Sequence, residues 1–459
     1  MIEKLKQIVL KNKDRLFYVC DNECITYYDF WEKIKYYSYY LKRQGTGPVI
    51  VYGHKSVNML ISMFSCLLAK RTYVPIDISV PRKRIEDIIR ITNADLFIKN
   101  EEIDNFKIET LKLDELVKYH DELEKESISK YVYIVFTSGS TGEPKGVPIS
   151  NDNLENFINW ISNLLYNNKK VNVLNTANFN FDLSVADMYY SLFNGHTLIA
   201  MDDLNYDSMF LRILKANVIV ATPTFVKMCL LNPDFNDKNY NNLKTIYFCG
   251  EKLEVQIVKR IYERFSKIQI INAYGPTEAT SAVCASIITK SMLNNNILPV
   301  GDVSSAATII TIKNNEIVLS GKSVFDGYLN SADGFFIDSG DKYYLTGDLC
   351  YIKDGLLYCS GRCDNQIKYK GYRIELEEIE NVINRIDGIV DVCVVPKYNE
   401  NGVVKYIKAY IVGNRQKDDI LKFLKERLPL YMVPKSIEFL SKLPINENGK
   451  VDRKKLINL

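Results

Sequence analysis

The sequence predicts an α/β protein whose mostly parallel sheets carry helices on both faces, and three observations support that expectation. From Val49 onward, short apolar runs alternate with longer stretches of helical spacing. A segment rich in glycine and hydroxyl groups, Phe136-Thr137-Ser138-Gly139-Ser140-Thr141-Gly142-Glu143-Pro144-Lys145-Gly146-Val147, lies between two such runs. Another polar segment, Asn272 to Thr280, follows directly on the apolar run Ile268-Gln269-Ile270-Ile271. Ligands of parallel sheets gather beyond the carboxyl ends of the strands, so both polar segments stand where a small molecule would bind.

Taken in order, Met1 to Leu10 mixes lysines with apolar residues at helical spacing and reads as a surface helix without the apolar core of a signal peptide. Ile25-Thr26-Tyr27-Tyr28-Asp29-Phe30 opens a helix running through Leu41, and Val49-Ile50-Val51-Tyr52 reads as a strand. Asn58 to Lys70 is predicted helical, Tyr73 to Asp77 a turn into an extended segment, and Pro81 to Thr92 another helix. The longest nearly apolar run, Met59 to Ala69, contains two serines and falls far short of the roughly 18 residues of a membrane span. A cytoplasmic protein without a membrane partner is therefore expected.

The 459 residues, 47% hydrophobic and 25% charged, suffice for roughly three domain-sized units. The net charge of +3 comes from interspersed signs, which leaves no basic stripe for nucleic acid. Ten cysteines are scattered, many in apolar strings such as Ser65-Cys66-Leu67 and Val392-Cys393-Val394, as expected of free thiols in a reducing compartment. The spacings Cys20/Cys24 and Cys359/Cys363 do not match a zinc site. None of the histidines His54, His120 and His196 sits in a hydrolase motif.

The glycine-rich segment has the chemistry of a phosphate grip. Val132 to Phe136 supplies a strand before it, Val147-Pro148-Ile149 a short one after it, and Ser150 or Asn151 a cap for the next helix. Its glycines let backbone amides turn inward, its hydroxyls add donors, and Lys145 adds positive charge. Pro144 rules out the Walker loop, in which the last glycine runs straight into a helix. Asn178-Phe179-Asn180-Phe181-Asp182-Leu183-Ser184-Val185-Ala186-Asp187 sets a carboxylate beside aromatics before an amphipathic helix. Thr245 to Phe248 reads as a strand ending at Gly250, with a helix starting near Leu253. Asn272-Ala273-Tyr274-Gly275-Pro276-Thr277-Glu278 joins an aromatic face for a base to a hydroxyl and a carboxylate. Tyr344 to Leu349 offers Asp348 at the start of a strand, and Ser360 to Gln366 a charged turn.

Thr137 to Val147, N-A-Y-G-P-T-E and the later segments occur in the order of the adenylate-forming enzymes, and the chain resembles that family over nearly its whole length. The resemblance is to its amino-acid adenylation domains, and among them to the D-alanine:D-alanyl carrier protein ligases. It implies that ATP is held by Thr137, Ser138, Gly139, Ser140, Thr141, Gly142, Lys145, Asn272, Ala273, Tyr274, Gly275, Pro276, Asp348 and Arg362. In that reading Tyr274 stacks on adenine, Asn272 faces its edge, Asp348 takes the ribose hydroxyls, Thr277 contacts the α-phosphate and Glu278 holds Mg²⁺. Lys450, in Asn448-Gly449-Lys450-Val451-Asp452-Arg453, matches the mobile catalytic lysine and completes a catalytic set with Thr277 and Glu278.

The same resemblance assigns the substrate pocket to Asp182, Ala186, Cys249, Ser281 and Lys450, with Asp182 facing the α-ammonium and Cys249 the α-carbon. It implies an N-terminal core of residues 1–361, a hinge of 362–366 centred on Asp364, and a small mobile α+β domain of 367–459. There, Lys370-Gly371-Tyr372-Arg373-Ile374-Glu375-Leu376-Glu377-Glu378-Ile379-Glu380 begins the face used in the second step. The expected activity is AMP-forming activation of an amino acid, with D-alanine as the implied substrate, and transfer to the phosphopantetheine of a carrier protein. Ala186 replaces a bulky methionine common in the D-alanine ligases, which implies a roomier pocket, and the segments 301–316 and 331–334 are short. A stand-alone nonribosomal peptide adenylation domain for another amino acid, and a catalytically silent nucleotide-binding protein, stand as alternatives.

Overall fold

The computed structural model describes residues 1–20, 23–113, 129–139, 141–165, 169–201, 206–447 and 450–459. Ser140 of the glycine-rich loop, His120, and Asn448 and Gly449 beside Lys450 lie outside the described residues.

Two mostly parallel sheets form the frame, as the alternation predicts. In the first, the strands Val49–Tyr52, Tyr73–Ile76, Leu96–Lys99 and Glu109–Leu111 pair in parallel with their neighbours, and Tyr131–Thr137 and Lys145–Ser150 close one edge as an antiparallel pair. Pro75 is accommodated because pairing to Tyr131–Thr137 is confined to Tyr73↔Tyr133, so its missing N–H interrupts no ladder on that side. In the second sheet the strands Leu16–Cys20, Thr197–Ala200, Asn172–Asn175, Val218–Ala221, Thr245–Phe248 and Gln269–Tyr274 run in parallel, with Glu23–Thr26 and Cys284–Ile288 antiparallel at its edges. Thr245–Phe248 and Gln269–Tyr274 are direct neighbours, so their polar ends open into one crevice.

Helix starts follow local capping chemistry. The Thr26 side chain accepts from the Asp29 amide at the head of Tyr27–Leu41, and Ser150 forms a reciprocal capping box with Asn153 ahead of Asn151–Leu164. Val57–Leu68 is buried almost throughout, as its apolar sequence requires.

Several local expectations are corrected. The helix Leu183–Asn194 is buried on every face instead of being amphipathic, because sheet strands and the helix Asn151–Leu164 surround it. The strand expected to end at Ile271 continues through Tyr274, since pairing runs on from Phe248↔Asn272 to Tyr274↔Cys284. Asp348 sits inside the long strand Asp341–Lys353, and Ser360 to Arg362 belong to the strand Leu356–Arg362 in place of a turn. Both are held in a six-stranded, wholly antiparallel sheet that local alternation did not foretell.

Beyond it, the hairpin Ile367–Tyr369/Tyr372–Ile374, the sheet of Ile389–Tyr398, Val404–Gly413 and Ser436–Phe439, and the helices Leu376–Ile383 and Lys417–Lys425 share a separate apolar core. Among the described residues, no helix is long and apolar enough to cross a membrane, and no group of three His, Cys, Asp or Glu side chains could hold a metal. Cys359 does not meet Cys363 as a pair of ligands; it faces Cys350 across paired strands, with the sulfurs 2.7 Å apart.

Candidate active site

The crevice is a narrow, partly open cleft between the parallel sheets and the C-terminal hairpin. Thr137, Ser138, Asp182, Gly275, Pro276, Thr277, Asp348 and Arg362 line it, which brings together residues from five separate stretches of sequence.

At its floor, Asp182 occupies the N-cap position of its helix yet makes no side-chain cap bond. Its carboxylate instead accepts the Thr277 hydroxyl at 2.6 Å. Burial raises the Asp182 pKa, the Thr277 bond partly offsets this, and nearby Glu278 adds to the rise. The next carboxylate, Glu278, is wholly buried between Tyr328, which donates to Oε1, and Arg373, whose Nη1 lies 2.6 Å from Oε2. Burial alone would push Glu278 up, but the Arg373 charge and the Tyr328 bond outweigh it and hold the carboxyl below its ordinary value.

Elsewhere along the cleft, Tyr274 donates to Asp348 Oδ2 at 2.6 Å, and Arg362 meets Asp348 Oδ1 at 2.6 Å. Register decides the second contact, because Asp348 and Arg362 are cross-strand partners. Burial opposes ionisation of Asp348, yet the charges of Lys368 and Arg362 keep its pKa lowered. Lys368 Nζ stands 5.6 Å from the centre of the Tyr274 ring. Gly275 is required sterically: a Cβ there would come within 2.4 Å of Ala282 Cα. Asn272 is buried behind this group and donates to the Pro299 carbonyl at 2.8 Å, and Ala273 is buried beside it.

The glycine-rich loop is a hairpin connection, with Thr137↔Lys145 as its last pair. Ser138 and Gly139 face the C-terminal segment, whereas Thr141 is exposed and Gly142 packs near Asn381 and Arg385. Lys145 does not line the cleft; it pairs with Asp333 at 2.8 Å beneath the ring of Tyr328. Ala186 and Cys249 are buried behind the cleft wall, and burial pushes the Cys249 thiol up to about 12. Ser281 is buried with left-handed φ, and its carbonyl faces the Cys249 sulfur at 4.0 Å. Lys450 is exposed and is not among the residues lining the cleft; its amide bonds to Asn446 Oδ1 at 3.0 Å. Asp364 is gripped by Arg362 through two bonds of 2.6 and 2.7 Å.

Sequence reasoning named Arg373 and Glu378 only within the run Lys370 to Glu380 and did not single out Lys368, Tyr328 or Arg84, which pairs with Glu378. Arg373 and Glu378 lie in the R-I-E-L-E-E-I-E run, whose single arginine among four glutamates could have marked them. Tyr328 and Arg84 carry no local signal.

Residues 5–329 match the family described as AMP-binding enzyme, and residues 378–450 match the AMP-binding enzyme C-terminal domain. The chain belongs to the AMP-binding enzyme family. Among its relatives in the family, it is 35% identical to the D-alanine--D-alanyl carrier protein ligase of Bacillus licheniformis, over 99% of this chain and 98% of that one. It is 37% identical to the ligase of the same name from Staphylococcus epidermidis, over 91% and 90% of the two chains. Its fold matches the Vibrio cholerae adenylation domain AlmE, solved in complex with glycyl-adenosine-5'-phosphate, with a TM-score of 0.86 at 24% identity, covering 100% of this chain and 97% of that one. The o-succinylbenzoate CoA synthetase of Bacillus subtilis has the same fold at a TM-score of 0.86 and 19% identity, covering 99% and 98%. A fold of mixed sheets with a separate C-terminal unit is thus common to this AMP-binding enzyme and its neighbours.

Proposed function

We propose that the chain is an ATP-dependent, AMP-forming ligase that activates D-alanine and delivers it to the phosphopantetheine thiol of a carrier protein in the cytoplasm. One observation carries the reading: Asp182, a carboxylate not used for capping, lies within one hydrogen bond of Thr277, in the same cleft as the Tyr274–Asp348–Arg362 group. An anion for an α-ammonium thus stands beside groups suited to a ribose and a base. The named activity of the relatives in Bacillus and Staphylococcus agrees with that arrangement.

In the first step the amino-acid carboxylate oxygen attacks the α-phosphorus of ATP, and the bond to pyrophosphate breaks. Asp182 orients the ammonium, Thr277 reaches the α-phosphate, and the loop from Thr137 to Lys145 receives the departing phosphates. Glu278 and Thr277, adjacent in the turn Thr277–Ala279, would offer hard oxygen donors to a Mg²⁺ ion bound with the polyphosphate. When bound, the cation neutralises charge on the polyphosphate. In the second step the carrier thiol loses its proton, its sulfur attacks the adenylate carbonyl, and AMP leaves.

Residues 1–361 act as the core, 367–459 as the mobile domain, and 362–366 as the hinge, with Asp364 absorbing the torsion change. The arrangement described here suits the second step. Gly371 and Gly250 lie close together beside Thr222, so that the C-terminal hairpin packs tightly on the core, while Lys450 is turned out to solvent.

ATP–pyrophosphate exchange across D- and L-amino acids tests the reading. D-Alanine should support the fastest exchange. Exchange with deaminated acids, or none with any amino acid, would overturn it.

A further inference from the structure

Cys350 and Cys359 stand directly opposite each other on neighbouring antiparallel strands, with their sulfurs 2.7 Å apart. Two cysteines serving only as core fillers would rest farther apart, since even carbon atoms pack at roughly 3.5–4.0 Å. The Cys350 amide donates to the Asn315 carbonyl at 2.8 Å, away from Cys359, so the two residues form a non-hydrogen-bonded pair. The Cα atoms of such pairs are about 4.5 Å apart, inside the range of roughly 4.4–6.8 Å that a disulfide spans. Bonded sulfurs lie at about 2.0 Å, so closure asks for a movement of about 0.7 Å. Cys350 is buried in the main core, whereas Cys359 is half-buried and followed by the exposed Ser360 and Gly361. The pair also adjoins the cleft. Between Leu349↔Gly361 and Cys350↔Cys359 the register slips, leaving Ser360 unmatched in a bulge. Just beyond that bulge Asp348 pairs with Arg362 and accepts the Tyr274 hydroxyl.

We propose that Cys350 and Cys359 are an oxidative modification site, at which hydrogen peroxide forms a reversible disulfide that weakens nucleotide binding at the adjoining Asp348–Arg362 group. In the first step the Cys359 sulfur attacks one peroxide oxygen, the O–O bond breaks, and the other oxygen leaves as water with the thiol proton. The product is a sulfenic acid. In the second step the Cys350 sulfur attacks the sulfenic sulfur, the S–O bond breaks, and the hydroxyl leaves as water with the Cys350 proton. Two thiols have then lost two electrons, and the peroxide has gained them. A dithiol reductant reverses the change and is itself oxidised to a disulfide. The Cys350 bond and burial hold the Cys359 thiol well above its ordinary range, so thiolate is scarce and the first step takes peroxide in excess. The second step has its partner already in contact. Pulling the strands together at the bulge shifts Asp348 against Tyr274 and Arg362, and hydrogen bonds of 2.6 Å tolerate little displacement. The effect on ATP rests on the reading of the chain as a ligase; the crosslink does not.

The full wild-type chain tests this without any variant. After treatment with excess hydrogen peroxide, blocking of free thiols and digestion, mass spectrometry should find the peptides of Cys350 and Cys359 joined, two hydrogens lighter than their sum. Dithiothreitol should separate them. Recovery of both cysteines as blocked thiols or as sulfinic acids, or a crosslink from either to another cysteine, would overturn the proposal. Cys24→Ser, which removes an exposed thiol elsewhere, should crosslink like wild type. In calorimetric titration, the crosslinked chain should bind ATP several-fold more weakly than the reduced chain, and dithiothreitol should restore the affinity. Peroxide should leave ATP affinity unchanged in Cys359→Ser, which cannot form the bond. Equal ATP affinity in reduced and verified crosslinked chains would overturn the proposal, as would the same loss in Cys359→Ser. A reduced chain that binds no ATP would instead sink the ligase reading, and with it the nucleotide half of this inference, while the crosslink result stands by itself.

Discussion

Thr277 donates its hydroxyl to the Asp182 carboxylate at 2.6 Å, tying together residues 95 positions apart. Because burial raises the Asp182 pKa, protonation sets in at higher pH than for an ordinary carboxylate near 3.9. Only the ionised form pairs with an ammonium, so kcat/KM for amino-acid-dependent exchange should fall as pH drops through that raised value. Asp182→Asn should remove this acid limb. Breaking one side of a buried charge pair costs 2–5 kcal/mol, so kcat/KM should also drop at least about thirtyfold. Wild-type rates in Asp182→Asn would exclude the pairing.

Lys450 is exposed, and as an ordinary surface lysine its replacement would change little. If it swings in for adenylation, Lys450→Ala should slow exchange by about 10²–10³, the cost of about 2.7–4 kcal/mol for one preorganised donor. Carrier loading from supplied aminoacyl-adenylate should remain near wild type. Equal loss of both half-reactions in a folded variant would remove Lys450 from that role.

Gly371 has φ +84°, and a Cβ there would come 2.7 Å from Thr222 Cγ2. Gly371→Ala is thus strained both by backbone and by contact. The substitution should slow carrier loading far more than pyrophosphate exchange. Adding Thr222→Ser removes the clashing methyl but keeps the cap hydroxyl, and should restore part of the loading rate. No recovery in stopped assays of loading would mean that the contact is not what limits closure.

His196 is buried against Tyr190, its Nδ1 accepts the Val171 amide at 3.3 Å, and burial lowers its pKa to about 3. The unfolded chain takes up that proton near 6.5, the folded chain only near 3. The neutral ring's contribution to stability is therefore complete above 6.5 and is lost progressively as pH falls toward 3, at about 1.4 kcal/mol per unit. His196→Asn keeps an acceptor but cannot titrate. Between pH 7 and 5, urea unfolding should show wild type losing about 2 kcal/mol more than the variant. Parallel pH dependence in the two proteins would rule this out.

Much of the site was legible because its chemistry is local. The loop from Thr137 to Lys145 and the turn from Asn272 to Glu278 each concentrate their donors, bends and carboxylates within about a dozen residues, and strand alternation placed them at strand ends. The alternation behind the two mostly parallel sheets and the Ser150 cap follow from patterns within single segments.

What tertiary structure alone decided is pairing across distance. Extended chain persists through Tyr274 and around Asp348 because partner strands supply hydrogen bonds there, and a partner strand leaves no trace in the apolar pattern of the segment it holds. Lys145 turned to Asp333, Glu278 met Arg373, and Gly139 met Glu378 for the same reason. Residue type and spacing determined which charges this chain could bring to a cleft; burial, which makes an unpartnered charge costly, determined which of them meet a counter-charge or a hydroxyl.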